Sequence, residues 1–407
     1  MIKKTILFLL SPWRARFYDF ANLRLPRETE LLVISDQATL DRYIDLQKIP
    51  CRAVSLTPYR DYGYQFLSFE EISIIVTEFQ TRGSHVYLHS DEEIALDSVA
   101  ELNERHNLEG MGIEETKKYR NKYFMKQTIE ENLVHCKLPD FCQDVDSASV
   151  LGFPLIGKPV ALAGALGVEK INNQLELDTY FELHKTPLII ERFIEGDLYH
   201  CDGIIINGIL QYFHAAKYFD PIEYATKHMS YIGSELLTDS TCYAALERAS
   251  EEVVTRLGCR QGAVHIEFIV NSSGIYFVEI GNRPAGGYIQ QMYNLTYGQN
   301  IYNLHLYSCY PEFVVDVQTP QRFSYCCGIY IMRTCDGVVA DIHLPNFSPS
   351  LGYFNAFSEK WHGFKTNSAL DCIGEVFFYS SDRDEYQGLV KAFVEEHKII
   401  YKNQLGK

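Results

Sequence analysis

No Lys/Arg run longer than two residues occurs in this chain of 407 residues, although it carries 37 basic side chains. Its 53 acidic side chains bring the formal net charge to −16. That is the wrong sign for a general binder of nucleic acid or of an anionic membrane. Any anion on a ligand must therefore be met by a local cluster. A CxxC pair is also missing: the 11 cysteines are scattered and odd in number, which argues against a disulfide framework. We expect them to be reduced core residues of a cytosolic protein. The N-terminal "MIKKTILFLLSPW" has an apolar run of only about six residues, too short for a signal h-region or a membrane span. It reads as a buried first strand. No GxGxxG follows it, so a dinucleotide site there is unsupported. No internal repeat or low-complexity linker is found either.

What is present is a globular composition, 46% hydrophobic and 22% charged, long enough for two or three packed units. Up to about residue 115, the strand-like runs "KTILFLL", "ELLVISD" and "SHVYLHS" alternate with the helix-period segments "SFEEISIIVTEFQTR" and "DEEIALDSVAELNERH". Such alternation favours a parallel sheet flanked by helices. In the turn "SPWRAR", Arg14 or Arg16 could hold an anion, but a solvated loop is the favoured reading. A basic helix follows in "TKKYRNKYFMKQTIEEN". "FPLIGKPVALAGALGVEKI" then gives a strand ending near Lys158, a loop of small residues and another strand. Beyond it come a strand, a turn around Glu195 to Asp197, and a hairpin through Asn207 and Gly208. The helix "STCYAALERASEEVVTRLG" precedes a second hairpin, and the last hundred or so residues mix strands with a final helix at "EYQGLVKAFVEEH".

That second hairpin, "VHIEFIVNSSGIYFVEIGNRPAGG", holds two acids in apolar arms. With Ser272, Ser273 and Gly274 as a three-residue loop, Asn271 faces Ile275 and Glu267 falls directly opposite Glu279, both on one face. Directly opposed carboxylates destabilise a sheet by up to about 1 kcal/mol, and more when buried. Either they face solvent among basic neighbours, or they hold a divalent cation of the kind that takes oxygen ligands. Arg283 and the glycines of "PAGG" follow at once, and a metal pair, a guanidinium and a Gly turn together suit phosphate.

In order from about residue 110 to 310, these motifs resemble the ATP-grasp superfamily. "YRNKYFMK" offers Lys122 and "FPLIGKPV" offers Lys158 as the two nucleotide lysines, and "ALAGALGV", with Gly164 and Gly167, stands where a mobile phosphate loop does. In "IIERFIEGDLYHCDG", Glu191 matches the acceptor for the adenine amino group, and the backbone of Arg192, Phe193 and Ile194 completes the bracket. Glu267, Glu279 and Arg283 match the metal carboxylates and the arginine. The chain departs from the pattern at three places. Leu198 stands where a ribose-binding acid is common, leaving Asp197 as substitute; Gly281 stands where an asparagine ligand is common, with Asn282 one step later; and Ala161 and Ala163 stand in the phosphate loop where Gly or Ser is common.

The resemblance implies an α/β and α+β architecture: an N-terminal Rossmann-like unit (1–115), a central lid (116–205) and a C-terminal unit (206–407), with nucleotide between the two α+β units. It implies ATP and Mg²⁺, with Mn²⁺ as an alternative, and small-molecule substrates rather than nucleic acid or membrane. A homodimer stays open. "GAVHIEF", "EIGNRPAGG" and "CDGVV" look most like the L-amino acid ligases, in which the turn after the second glutamate contacts the first substrate's carboxylate. By that likeness Arg283, Gly286 and Gly287 would do so here. The activity implied is carboxylate–amine ligation, probing as alternatives a bicarbonate-using carboxylase or carbamoyl-phosphate-type enzyme and a non-catalytic nucleotide binder. His265, on the Glu267 face, is open between a place near the substrate amine and a hydrogen-bonded core role; for His200 and Asp202 the structural role is favoured.

Overall fold

The computed structural model describes residues 4–11, 14–23, 25, 29–44, 49–59, 64–308, 321–358, 361–363 and 372–402. Pro12 and Trp13 of the "SPWRAR" turn lie outside them. The N-terminal apolar runs pair in parallel in the order Cys51–Ala53, Thr29–Ser35, Lys4–Leu9, His85–Ser90. Residues 6–10 are at most 1% exposed, as expected when helices cover both faces of a parallel sheet. Two of these helices start on side-chain caps: Asp36 accepts from Thr39 N–H and Ser68 from Glu71 N–H.

The single basic helix expected from residue 116 to 132 is two helices, Ile113–Arg120 and Lys122–Ile129. Asn121 causes the break. Its extended backbone ends the first helix, and its side chain caps the second by accepting from Tyr123 and Phe124 N–H. The following small sheet runs Phe141–Cys142, Leu188–Arg192, Leu155–Pro159, Glu169–Ile171, antiparallel throughout.

Between Arg192 and Asp197 the chain passes into an eight-stranded antiparallel sheet. Its order is Gly274–Gly281, Gly262–Asn271, Asp197–Ile206, Ile209–Tyr218, Tyr231–Leu236, Tyr325–Ile331, Gly374–Ser380, Gly352–Ala356. A unit border near residue 205 would fall inside the Asp197–Ile206 strand, all of which pairs in this sheet. Asn207 (φ 53°) and Gly208 (φ 79°) make the expected tight turn, both left-handed as a two-residue hairpin requires. One face of the sheet packs on the helix Ser240–Leu257 through Tyr199, Cys201, Ile266 and Phe268. The N-terminal sheet joins the same body, since Ile6 and Phe8 share a core with Tyr302, Ile204 and Ala263. Ten cysteines lie among the described residues, all free. No helix there is long and apolar enough to cross a membrane.

Candidate functional site

The hairpin places Glu267 opposite Glu279, though not by the expected route. Its tip is a two-residue loop, with Asn271 paired to Gly274 (φ 136°), so the count from the tip alone would set Glu267 against Val278. A β-bulge then inserts Val278 between Phe277 and Glu279 and restores the pairing. The bulge has a specific fastener: the Lys126 ammonium donates to Phe277 O at 3.1 Å and to Val278 O at 2.9 Å. Sequence reading missed Lys126. Its signal was the spacing of four from Lys122 within one helix, which puts both ammoniums on one face.

Lys126 is fully buried, and its charge is met by Glu191 at 3.4 Å. Lys158 reaches the other oxygen of that carboxylate at 3.0 Å. Burial pulls Lys126 down to about 8, with Glu191 opposing the shift. Burial likewise works against Glu191, but Lys126 and Lys158 outweigh it and hold the carboxyl below its ordinary range. Glu191 Oε1 has no hydrogen-bond partner, only the ion pair. Lys122 lies 3.4 Å from Glu279 and also donates to Leu162 O in the small-residue loop. The backbone brings the two expected lysines together, because Lys122 N–H bonds Val160 O, just past the strand that carries Lys158.

In the loop, Gly164 (φ 67°), Ala165 (φ 59°) and Gly167 (φ 71°) are left-handed. Gly167 is also required by contact, since a Cβ there would sit 2.8 Å from the Pro159 ring. In the expected adenine bracket, Arg192 N–H bonds Asp140 O and Phe193 N–H bonds Pro154 O. Ile194 alone of the three has an amide with no acceptor among the described residues.

The carboxylate face of the sheet also carries His265, His200, Asp202 and Tyr218. Tyr218 OH donates to Glu267 at 3.2 Å, and His265 Nε2 lies 3.6 Å from the same oxygen. Behind them Asp202 is fully buried and takes His200 Nδ1 at 2.6 Å, His265 Nδ1 at 2.7 Å and Tyr293 OH at 2.5 Å. His200 continues to Ser234 Oγ at 2.8 Å. This is a hydrogen-bonded buttress behind Glu267, and His265 links it to that carboxylate. Burial opposes charge on Glu267, yet His265 outweighs it and keeps the carboxyl below its usual range.

Other expected residues stand differently. Asp197 shares its strand face with Tyr199 and Cys201, which point into the core away from Glu267, and it pairs with Lys217 at 2.8 Å. The structure thus does not bring it to the carboxylates, and parity is the reason: the position on their face is Leu198. Neither Gly281 nor Asn282 adds a carboxamide to Glu267 and Glu279. A Cβ at Gly281 would lie 3.4 Å from Arg283 Cγ, and Asn282 turns away toward Gln261 O and Ala263 O. Arg283 itself is nearly buried, gripping Glu93 through Nε and Nη2 at 2.8 Å each. Gly286 and Gly287 lie against Arg14 and Tyr330: a Cβ at Gly286 would be 3.3 Å from Arg14 Nη1, and one at Gly287 2.8 Å from the Tyr330 ring. The solvated-loop reading of Arg14 is overturned. Its side chain is 12% exposed and bonds Glu92 at 3.4 Å and Tyr302 OH at 2.8 Å.

Two opposed carboxylates, two lysines and a small-residue loop thus come together. Residues 151–291, which include most of these, match the family model of the ATP-grasp domain. The chain contains an ATP-grasp domain. Among curated proteins it is 25% identical over 285 residues to an L-arginine-specific L-amino acid ligase of Bacillus subtilis, spanning 63% of this chain and 67% of that one. It is 24% identical over 200 residues to a D-alanine–D-alanine ligase of Thermosipho africanus, spanning 46% of this chain and only half of the relative. Among solved structures, an L-amino acid ligase from Bacillus licheniformis superposes with a TM-score of 0.72 over 98% of this chain and 99% of that chain, at 16% identity. The likeness in fold to that structure therefore extends over nearly the whole chain, well beyond the residues that match the ATP-grasp domain.

Proposed function

We propose that the protein is an ATP- and Mg²⁺-dependent ligase that joins a carboxylate to an amine, with amino acids as substrates and an acylphosphate as intermediate. The observation that carries this reading is the Glu267–Glu279 pair held face to face with Lys122 beside it. An all-oxygen donor set of this kind fits Mg²⁺ or Mn²⁺ and suits no soft metal. Glu267 and Glu279 would hold the metal, which when bound offsets the phosphate charge as a carboxylate attacks the γ-phosphorus.

The remaining chemistry falls to this chain's side chains. Lys122 and Lys158, now neutralised by Glu279 and Glu191, would exchange those carboxylates for phosphate oxygens. Glu191 Oε1, buried and without a hydrogen-bond partner, suits the adenine amino group, and Ile194 N–H would complete the bracket. The loop from Ala161 to Val168 would cover the phosphates and keep water from the acylphosphate. Arg283, permanently charged and braced on Glu93, would hold the transferring group, and Gly286 and Gly287 would let the acyl substrate approach the backbone. The amine then displaces phosphate. No nucleophilic side chain is needed, because the work is positioning and charge compensation. The reading is supported by the two ligases among the curated relatives. Phosphate release from ATP and Mg²⁺, measured across an amino acid panel with mass analysis of products, tests it. An amide product supports the reading, and bicarbonate-stimulated ADP formation without amino acid dependence overturns it.

A further inference from the structure

In the N-terminal sheet the Lys4–Leu9 strand connects forward to its neighbour Thr29–Ser35 on one side, while its other neighbour, His85–Ser90, comes later in the chain. The crevice at the carboxyl ends of these strands is a topological switch point, where open parallel sheets bind small ligands. Register places Leu9 beside Ser90, so the segments that follow both strands meet there. One supplies Arg14 and Arg16; the other supplies Glu92 and Glu93. The Gly286–Gly287 turn closes the crevice against Arg14 and Tyr330.

The guanidiniums around this crevice are differently committed, and Arg120 also reaches Glu93, at 3.2 Å. Arg14 is held by Glu92 and Arg283 by Glu93. Arg16 is exposed and has no carboxylate within ion-pair distance among the described residues. Its guanidinium is nonetheless fixed. Nη2 donates to Tyr330 OH at 2.9 Å, and the group lies over the rings of Phe17 at 4.7 Å and Phe357 at 4.9 Å. Glu375, the register partner of Tyr330, takes its hydrogen bond from Asn355 and attracts Arg16 only through space. Aromatic bracketing leaves the planar fork oriented, with donors to spare, which is how arginine recognises a carboxylate.

We propose that Arg16 binds the α-carboxylate of the amino acid that supplies the attacking amine. This rests on the ligase reading above. The carboxylate of the acyl donor is the reacting group and must reach ATP beside Glu267 and Glu279. Arg16 bonds the Tyr330 hydroxyl, whose ring lies against Gly287, and among the described residues no contact joins it to Glu267 or Glu279, so it serves a carboxylate that does not react. That carboxylate belongs to the amine donor.

The test uses the full-length protein with ATP, Mg²⁺ and the amino acid pair that gives most phosphate release, then replaces the amine donor by its α-carboxamide. The wild type should show a KM for the carboxamide about 100-fold above that for the free acid, the scale of a lost charged pair. In R16Q the KM of the free acid should rise by a similar factor and the acid-to-amide preference should collapse, with the KM for ATP unchanged. R16K should recover part of the preference, which a merely structural role would not produce. R16Q that folds, turns over and still prefers the free acid would overturn the assignment and leave the ligase reading intact. Absence of both phosphate release and calorimetric binding with every amino acid would overturn the ligase reading and the Arg16 assignment together.

Discussion

Beside the two hairpin carboxylates three lysines already face acids: Lys122 faces Glu279, and Lys126 and Lys158 share Glu191. At the switch-point crevice two arginines are paired in the same way, but Arg16 rests on two rings and a phenol. Under the proposed reading, this side is a charge-paired lattice that would admit a polyanion with its cation by exchanging partners. The crevice keeps one oriented charge ready for a ligand. Four changes test this contrast, in falling order of effect.

E279Q removes half of the opposed pair. Phosphate release should fall on the order of 10³-fold, while the thermal transition shows a folded protein; retained activity would remove the metal assignment. K126M should loosen the lattice from behind. It leaves Phe277 O and Val278 O without their donor and Glu191 with one lysine, at a cost of about 3–5 kcal/mol in urea unfolding. It should also weaken the apparent Mg²⁺ affinity for ADP formation about 10–100-fold. K126R keeps the charge and should recover much of the Mg²⁺ affinity. An unchanged Mg²⁺ titration in either folded variant would mean that the bulge does not set Glu279.

On the crevice side, Glu93 provides a pH test. Burial opposes its charge, but Arg283 and Arg120 outweigh it and hold the carboxyl at about 2, against an ordinary 4.5. A depressed folded value means stability that is complete above the ordinary value and lost as pH falls through about 2. Wild type should thus exceed E93Q by roughly 2–3 kcal/mol at neutral pH in urea unfolding, with the gap closing below pH ~4. A gap independent of pH would contradict the pairing. The smallest effect is expected from G281N. Arg283 already crosses that position, so Mg²⁺ affinity should change less than about threefold and stability by under ~1 kcal/mol. A clear gain in Mg²⁺ affinity would show that a third ligand can be accommodated after all.

The two regions were also unequally legible in the sequence. Lys122, Lys158, Glu191, Glu267 and Glu279 are marked by local patterns, and the structure gathers them in one cleft. Even there, the right pairing of Glu267 with Glu279 came from a loop counted one residue too long. The bulge that compensates is fastened by Lys126, a contact 151 residues away in the chain, and local turn chemistry carries no trace of it. Asp197 was misplaced by a single step of strand parity, since neighbouring side chains point to opposite faces. The crevice was nearly invisible. Its charges come from the segments around Arg14, Glu92, Arg283 and Tyr330, each unremarkable alone, and only the parallel order of the N-terminal strands brings them together. The N-terminal sheet itself was readable from alternation, because its buried runs and helix caps are local features.

The central claim is that a substrate carboxylate is activated by phosphorylation in the cleft of Glu267 and Glu279. It is tested most directly by supplying the acyl donor with its carboxylate labelled with heavy oxygen, in the presence of ATP, Mg²⁺ and the amine, and weighing the phosphate released. One labelled oxygen should appear in phosphate for each amide formed, and none with E279Q. Amide formation that leaves the label entirely in the organic product would contradict it.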